Sequence, residues 1–407
     1  MEVAFNTLTY GYSFYTFSSL GNSSVAVMLF WVEYLTTDVK NGVKTGMSGM
    51  QQHIFAGIVT VTCWLATVVT AQNEVPAPTT KFFMPKLHWA ARLSVVGVID
   101  RIVKSGGDVD VRNKKGQTPL HVAARFGTAK TMVAFITAGA DLNARDQDGK
   151  TPLHTTIQFR KTKKFGLLLA AGANINLADA TGYTPLHFAV QFDRPNYLQS
   201  LLKLGAKVNV RDKAFSTPLH LAARLNGATG INMLLGAGAD ANMRDGARAT
   251  PLHVAAEYAG ANSLVQMIAS GAKVNVTDKD GKSPLYIAAA LSADKTSVLI
   301  NRGGRINLRT KTGFTPLLNA TRTGHLINMQ MLISKGANVN LSNHYGVTPL
   351  HWAAGFGKSA AVMMLLNAKA NVKMKDENGR TPFDWSKLMG NLEGSKGYWA
   401  LNRAQYK

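Results

Sequence analysis

The string Thr-Pro-Leu-His recurs along this chain at a nearly constant interval, beginning at Thr118, Thr151, Thr184, Thr217, Thr250 and Thr348. Variants begin at Ser283, Thr315 and Thr381. One further step back lands on Pro85, where Leu87, His88, Ala90 and Ala91 keep the pattern without Thr-Pro. Successive copies lie 33 residues apart, with a single interval of 32 after Ser283. A unit of that length cannot bury its own apolar face, so the units must stack and share a continuous core. A conventional domain with one central core is thereby excluded for most of the chain.

Each copy repeats the same local signals. Pro in the second position presets φ for a first helical turn, where its missing N–H costs nothing, and the preceding Thr can cap that turn. The two Ala residues after Leu-His-x let the first helices of neighbouring units approach closely. A second stretch is apolar at helical spacing, as in Met132-Val133-Phe135-Ile136 and Met363-Met364-Leu365-Leu366. A small-Gly-Ala element follows, as in Ala138-Gly139-Ala140, Ala171-Gly172-Ala173 and Ala237-Gly238-Ala239, and its Gly suits a left-handed C-cap. Asn returns four residues after that Gly at Asn143, Asn176, Asn209, Asn242, Asn275 and Asn340. A turn of the type Asp146 to Gly149 or Asp376 to Gly379 closes the loop to the next copy.

On these residues the chain resembles the ankyrin-repeat family, over about residues 82–400 and ten repeats, the first and last degenerate. The resemblance implies an all-α repeat solenoid of helix-turn-helix units joined by β-hairpin loops. It also implies protein–protein recognition through the hairpin tips and the concave inner-helix face. Several positions depart from the pattern. Phe215 and Arg248 stand where a tip Gly is usual, and Arg160 and Asp193 stand between helices where Gly is usual. The repeat from Ser283 is one residue short and carries Arg302-Gly303-Gly304-Arg305 in place of small-Gly-Ala. A local irregularity is therefore expected around 283–314. Pro85-Lys86 and Lys387 to Tyr398 fit polar caps at the two ends of the stack.

Catalytic chemistry finds no foothold. His121, His154, His187, His220, His253 and His351 each sit at least one repeat from the next, on the order of 10 Å or more given helix packing distances. Zinc needs ligands within about 2.1 Å of one ion, so these histidines are expected to bond neighbouring backbone. Gly236 to Ala241 matches a dinucleotide fingerprint only in letters, because it is a C-cap and not a strand-to-helix turn. Gly357-Lys358-Ser359 lacks the first Gly of a phosphate loop, since Trp352 stands there. Neither H-E-x-x-H nor G-x-S-x-G occurs. Cys63 is the single cysteine, which excludes a disulfide scaffold and a Cys-rich zinc site. No catalytic residue, cofactor, metal or small-molecule substrate is expected. Sequons at Asn275, Asn319 and Asn340 coincide with repeat positions and say little about glycosylation.

The informative positions are those the repeat leaves free. Two residues follow each Ala-Ala and should line the inner face: Arg92-Leu93, Arg125-Phe126, Gln158-Phe159, Gln191-Phe192, Arg224-Leu225 and Glu257-Tyr258 among them. Arg and aromatic residues are the types that dominate binding hot spots. Arg125, Phe126, Gln158, Phe159, Gln191, Phe192, Arg224 and Tyr258 are the contact candidates, with Lys114, Lys115 and Lys213 on the tips for steering. The aromatics could equally pack under the adjacent repeat. Charge points to an acidic partner: Lys+Arg is 45 against Asp+Glu 23, a net +22. Many of these cations fall on tips and adjoining loops, with a further run at Arg160-Lys161-Thr162-Lys163-Lys164. The alternative is binding to an anionic polymer or membrane surface, such as nucleic acid, acidic glycan or anionic lipid.

Ahead of the repeats, residues 54–71 form a run without a charge. Such a run is an export signal, a short membrane span or a buried helix. Val69-Thr70-Ala71 places small residues before a cleavage point at Ala71, and the stretch that follows is polar and contains Pro. The expected division is an extension over 1–46, with translation starting at Met47 or Met50, a signal peptide or anchor over 47–71 and a linker over 72–81. The repeats over 82–400 and a tail over 401–407 complete it. Export to a periplasm or the medium is the favoured outcome, with a membrane-anchored protein as the alternative.

Overall fold

The computed structural model describes residues 86–406 and, near the N-terminus, two three-residue strands. These are β1 (Asn6–Leu8) and β2 (Tyr12–Phe14), paired antiparallel with Asn6 opposite Phe14. The apolar run 54–71, Cys63 and the proposed cleavage point lie outside the described residues. Among the described residues, no helix is long and apolar enough to cross a membrane.

The repeat unit is a succession of helix pairs. The inner helices are α1 (Lys86–Leu93), α3 (Pro119–Arg125), α5 (Pro152–Gln158), α7 (Pro185–Gln191), α9 (Pro218–Arg224), α11 (Pro251–Tyr258), α13 (Pro284–Ala289), α15 (Pro316–Thr323), α17 (Pro349–Gly355) and α19 (Pro382–Met389). Their outer partners are α2 (Val96–Lys104), α4 (Ala129–Thr137), α6 (Thr162–Ala170), α8 (Pro195–Lys203), α10 (Ala228–Gly236), α12 (Ala261–Ala269), α14 (Ala293–Asn301), α16 (Leu326–Ser334), α18 (Ser359–Asn367) and α20 (Lys396–Gln405). From α3 onward every inner helix starts on its Pro, as the sequence expectation requires. The solenoid expected from the repeat is thus present. Its hairpin loops are closed by turns, and the described repeat residues contain no strand.

The core runs the length of the stack. The inner-helix Leu of the first nine repeats, such as Leu120, Leu153 and Leu252, is buried, with Phe383 in its place in the last, and one outer-helix residue per repeat, such as Phe135, Leu168 and Leu332, is buried with it. The paired Ala residues are buried against the neighbouring inner helices. Polar groups are satisfied across repeats. Asn143 Oδ1 accepts the Asn174 N–H at 2.8 Å, and Asn176, Asn209, Asn242, Asn275 and Asn340 repeat this strap on the following loops. Asp146 Oδ1 gathers the N–H groups of Asp148 and Lys150 and so closes the tip turn. Neighbouring tips are tied by the backbone, Gln147 N–H to Lys115 O and Lys213 N–H to Thr181 O, each at 3.0 Å.

The departures from the pattern are absorbed without breaking the stack. Phe215, Arg248, Arg160 and Asp193 all take the left-handed conformation that Gly takes elsewhere, with φ of 61°, 58°, 53° and 49°. Each costs on the order of 1 kcal/mol against Gly. The short repeat loses its residue between the helices. α13 ends one position early, no left-handed residue follows it, and Ser292 caps α14 directly through Lys295 N–H. Register is restored at once, because Gly303 has φ 82° and Arg305 N–H reaches Asn275 Oδ1 at 2.7 Å. The irregularity expected over 283–314 is confined to that one turn.

The C-terminal cap differs from the polar one expected over Lys387 to Tyr398. Leu388, Met389 and Trp399 are exposed there, while Leu392 and Leu401 are fully buried. The cap is held by aromatic packing: Trp385 lies edge-on to His351 and Trp352, and its indole N–H donates to Asp376 Oδ2 at 2.8 Å. α20 continues through position 400 as far as Gln405, so the chain shows no break where a tail was expected to begin.

Candidate binding surface

The histidines of the repeat are explained by structure. His154 Nδ1 accepts the Thr151 backbone N–H at 3.2 Å, and its Nε2 lies 3.0 Å from Tyr183 O of the next repeat. His121, His220, His253 and His351 make the same pair of bonds, and His88 keeps only the second. This pattern requires a neutral ring with its proton on Nε2. Burial holds His154 and His187 well below the ordinary imidazole value, at about 4. His187 Nε2 has no hydrogen-bond partner, and Tyr183 stacks on that ring at 5.0 Å. Among the described residues, no group of three or more His, Cys, Asp or Glu could hold a metal.

The last turns of the inner helices form the candidate surface. Arg125 and Phe126 are exposed on it, and so are Gln191, Arg224 and Tyr258. Gln158, Phe159 and Phe192 are half-buried. Phe192 packs on Phe188 of its own repeat, with ring centroids 5.6 Å apart. The aromatic column is thus partly core and partly surface. Its exposed members continue through Leu225, Tyr258, Leu291 and Phe356 to Met389. Phe356 stacks on Trp352 at 4.7 Å.

At the N-terminal end of this column the residues combine into a stack that sequence reasoning did not assemble. The Arg125 guanidinium lies 4.6 Å from the Phe126 ring centroid and 4.3 Å from that of Phe159. Arg92, from the degenerate first repeat, lies 4.8 Å from the Phe126 ring. Guanidinium and ring therefore alternate over three repeats. Arg92 holds the same repeat position as Arg125, which the Ala90-Ala91 pair before it already shows in the sequence; the stacking on Phe126 is what sequence did not show. Leu388-Met389 likewise stand at the Arg125-Phe126 position counted from Thr381, inside a stretch read as a polar cap.

The cations divide into free and committed. Lys114, Lys115 and Lys213 are exposed on their tips and form no ion pair among the described residues. The ion pairs there are Lys150–Asp148, Lys282–Asp280 and Arg380–Asp376. Arg145 and Arg309 are committed to neighbouring repeats, donating to Ala178 O and Ser342 O at 2.6 Å. The run Arg160 to Lys164 is not a uniform basic face. Lys164 is 5% exposed, and its Nζ donates to Ala123 O at 2.7 Å and Gly127 O at 2.8 Å. It adds a donor to Ala123 O near the end of α3, which also accepts the Gly127 N–H, and supplies one to Gly127 O in the turn that follows. Burial, with repulsion from Lys161, pushes this ammonium down to about 8. Lys295, Lys358, Asn328 and Asn391 serve the preceding inner helix in the same way.

The sequence profile described as ankyrin repeats (three copies) matches residues 87–179, 128–212, 165–245, 252–343 and 328–396. Comparison with curated proteins finds no match. Among solved structures, the chain is similar to the ankyrin repeat domain of Bcl-3, described as a unique member of the IkappaB protein family. The identity is 26%, the match covers 53% of this chain and 98% of that one, and the TM-score is 0.48.

Proposed function

Because the chain belongs to the ankyrin-repeat family, we propose that it is a protein-binding scaffold without catalysis of its own, exported from the cell that makes it. In this reading it holds an acidic partner on the last turns of its inner helices, with the tip lysines steering the approach. One observation carries the reading: Arg92 and Arg125 stack on aromatic rings at the surface and form no ion pair among the described residues. Stacked guanidinia are partly desolvated and keep their in-plane donors free, which suits recognition of carboxylates.

Phe126→Ala and Tyr258→Ala are each expected to weaken binding of the captured partner about tenfold or more, as buried hot-spot aromatics do. The salt dependence should be modest. The measurement is calorimetry with the partner identified from extracts of the source cells. The ammonium groups of Lys114, Lys115 and Lys213, unpaired among the described residues, favour the second reading, an anionic polymer or membrane surface. That reading takes over if charge reversal at those lysines abolishes binding, the aromatic substitutions do not, and affinity falls steeply with salt.

Export rests on the uncharged run 54–71 and the small residues at Val69 and Ala71. N-terminal sequencing of the protein from its source should give Gln72 in a soluble exported fraction. An intact N-terminus in the membrane fraction would replace export with anchoring.

A further inference from the structure

We propose that the Arg92–Phe126–Arg125–Phe159 stack is a two-point receptor for an extended acidic segment of the partner, with carboxylates three residues apart. The inference rests on the inner-face reading above and specifies the determinant that the partner must carry. Both guanidinia flank the Phe126 ring, at 4.8 and 4.6 Å from its centroid, and Arg125 is also backed by Phe159 at 4.3 Å. They belong to consecutive repeats, and their distances to the shared ring put the two centres at most about 9 Å apart, a limit reached when they lie on opposite faces of the ring. Ring stacking fixes the plane of each guanidinium, which is the geometry that bidentate pairing with a carboxylate uses. Other spacings fit this ruler poorly. On a β-strand, side chains of one face recur every second residue, about 7 Å apart. On a helix, neighbouring side chains lie about 5–6 Å apart. In a polyproline-II segment the rise is about 3.1 Å with three residues per turn, so side chains at i and i+3 share a face about 9 Å apart. Phe126 would then lie beneath the two residues between the acids and favour apolar ones, proline included.

The test uses the full repeat protein and two fluorescent peptides of equal length and charge. One carries Glu-Pro-Pro repeated four times, and the other carries the same residues with its glutamates clustered at one end. Wild-type protein is expected to bind the spaced peptide at least about tenfold more tightly than the clustered one. Arg125→Lys, which keeps the charge and loses the planar fork, should weaken the spaced peptide about tenfold. Lys335→Glu, at the exposed end of α16 several repeats away, should change it by less than about twofold. Equal binding of the two peptides would overturn the spacing, and an unaffected Arg125→Lys would reduce the stack to plain electrostatics. No binding of either peptide would remove the receptor. The scaffold reading itself would fail only if Phe126→Ala and Tyr258→Ala left capture of the native partner intact.

Discussion

Lowering the pH from 6.5 to 4.5 is expected to destabilise the solenoid steeply, well before the bulk of its carboxylates protonate. The cause is the column of buried neutral histidines. Each uses Nδ1 as an acceptor for its capping Thr, except His88, and a second proton on that nitrogen would break the bond. Burial depresses the folded-state value of every one of them, to about 4 for His154 and His187, while the unfolded chain titrates near 6.5. A depressed folded value means that the unfolded state binds the proton first. The stability these groups contribute is therefore fully present above pH 6.5 and is lost as the pH falls towards 4. Full protonation costs roughly 3 kcal/mol for His154 and again for His187, with smaller losses from the rest. Repeats are coupled only to their neighbours, so opening should start where these two stand in succession, over 151–216. Urea midpoints followed by circular dichroism at pH 7, 6 and 5 should fall monotonically. Hydrogen exchange at pH 5 should be fastest over 151–216 within the repeat array. A midpoint unchanged between pH 6.5 and 4.5 would mean that these rings are not held neutral.

Replacing Lys164 should destabilise the fold although it removes a buried charge. Its ammonium bonds two carbonyls of the preceding repeat, and Lys164→Met would leave Gly127 O without a donor and Ala123 O with the Gly127 N–H alone. Hydrogen bonds to a charged group contribute about 1.5–3 kcal/mol each, and relief of the desolvation of the lysine offsets part of that. The net loss expected at pH 7 is about 2 kcal/mol, measured as the shift in denaturation midpoint. The pH dependence has the same sign as that of the histidines but falls in an alkaline window. The folded value of about 8 lies below the unfolded value of 10.5, so the unfolded state keeps its proton longer. The advantage of wild type over Lys164→Met should then grow between pH 8 and 10, by on the order of 1–2 kcal/mol. Lys163→Met, at an exposed neighbouring position, should show neither effect. A Lys164 variant as stable as wild type would place its role in solubility and not in the joint between repeats.

Most of the architecture was legible in the amino-acid sequence because its causes are local and repeated. Thr-Pro starts a helix wherever it occurs, a small-Gly-Ala element ends one, and a 33-residue period admits only a stack. Even the irregular repeat was visible as a missing residue, though not the turn that absorbs it. Neighbour contacts decided the rest. Phe126 and Phe192 hold the same repeat position, yet Phe126 is exposed and flanked by two arginines, while Phe192 packs on Phe188, a residue that is Val122 in the repeat of Phe126. Lys163 and Lys164 are adjacent in a basic run, yet one side chain is solvated and the other is spent on Ala123 and Gly127, some forty residues earlier. Periodicity thus determined by itself where the helices begin, end and stack. Whether a given cation or ring is free to bind was decided only in the tertiary structure, because burial and hydrogen bonding depend on which side chains the adjacent repeat presents.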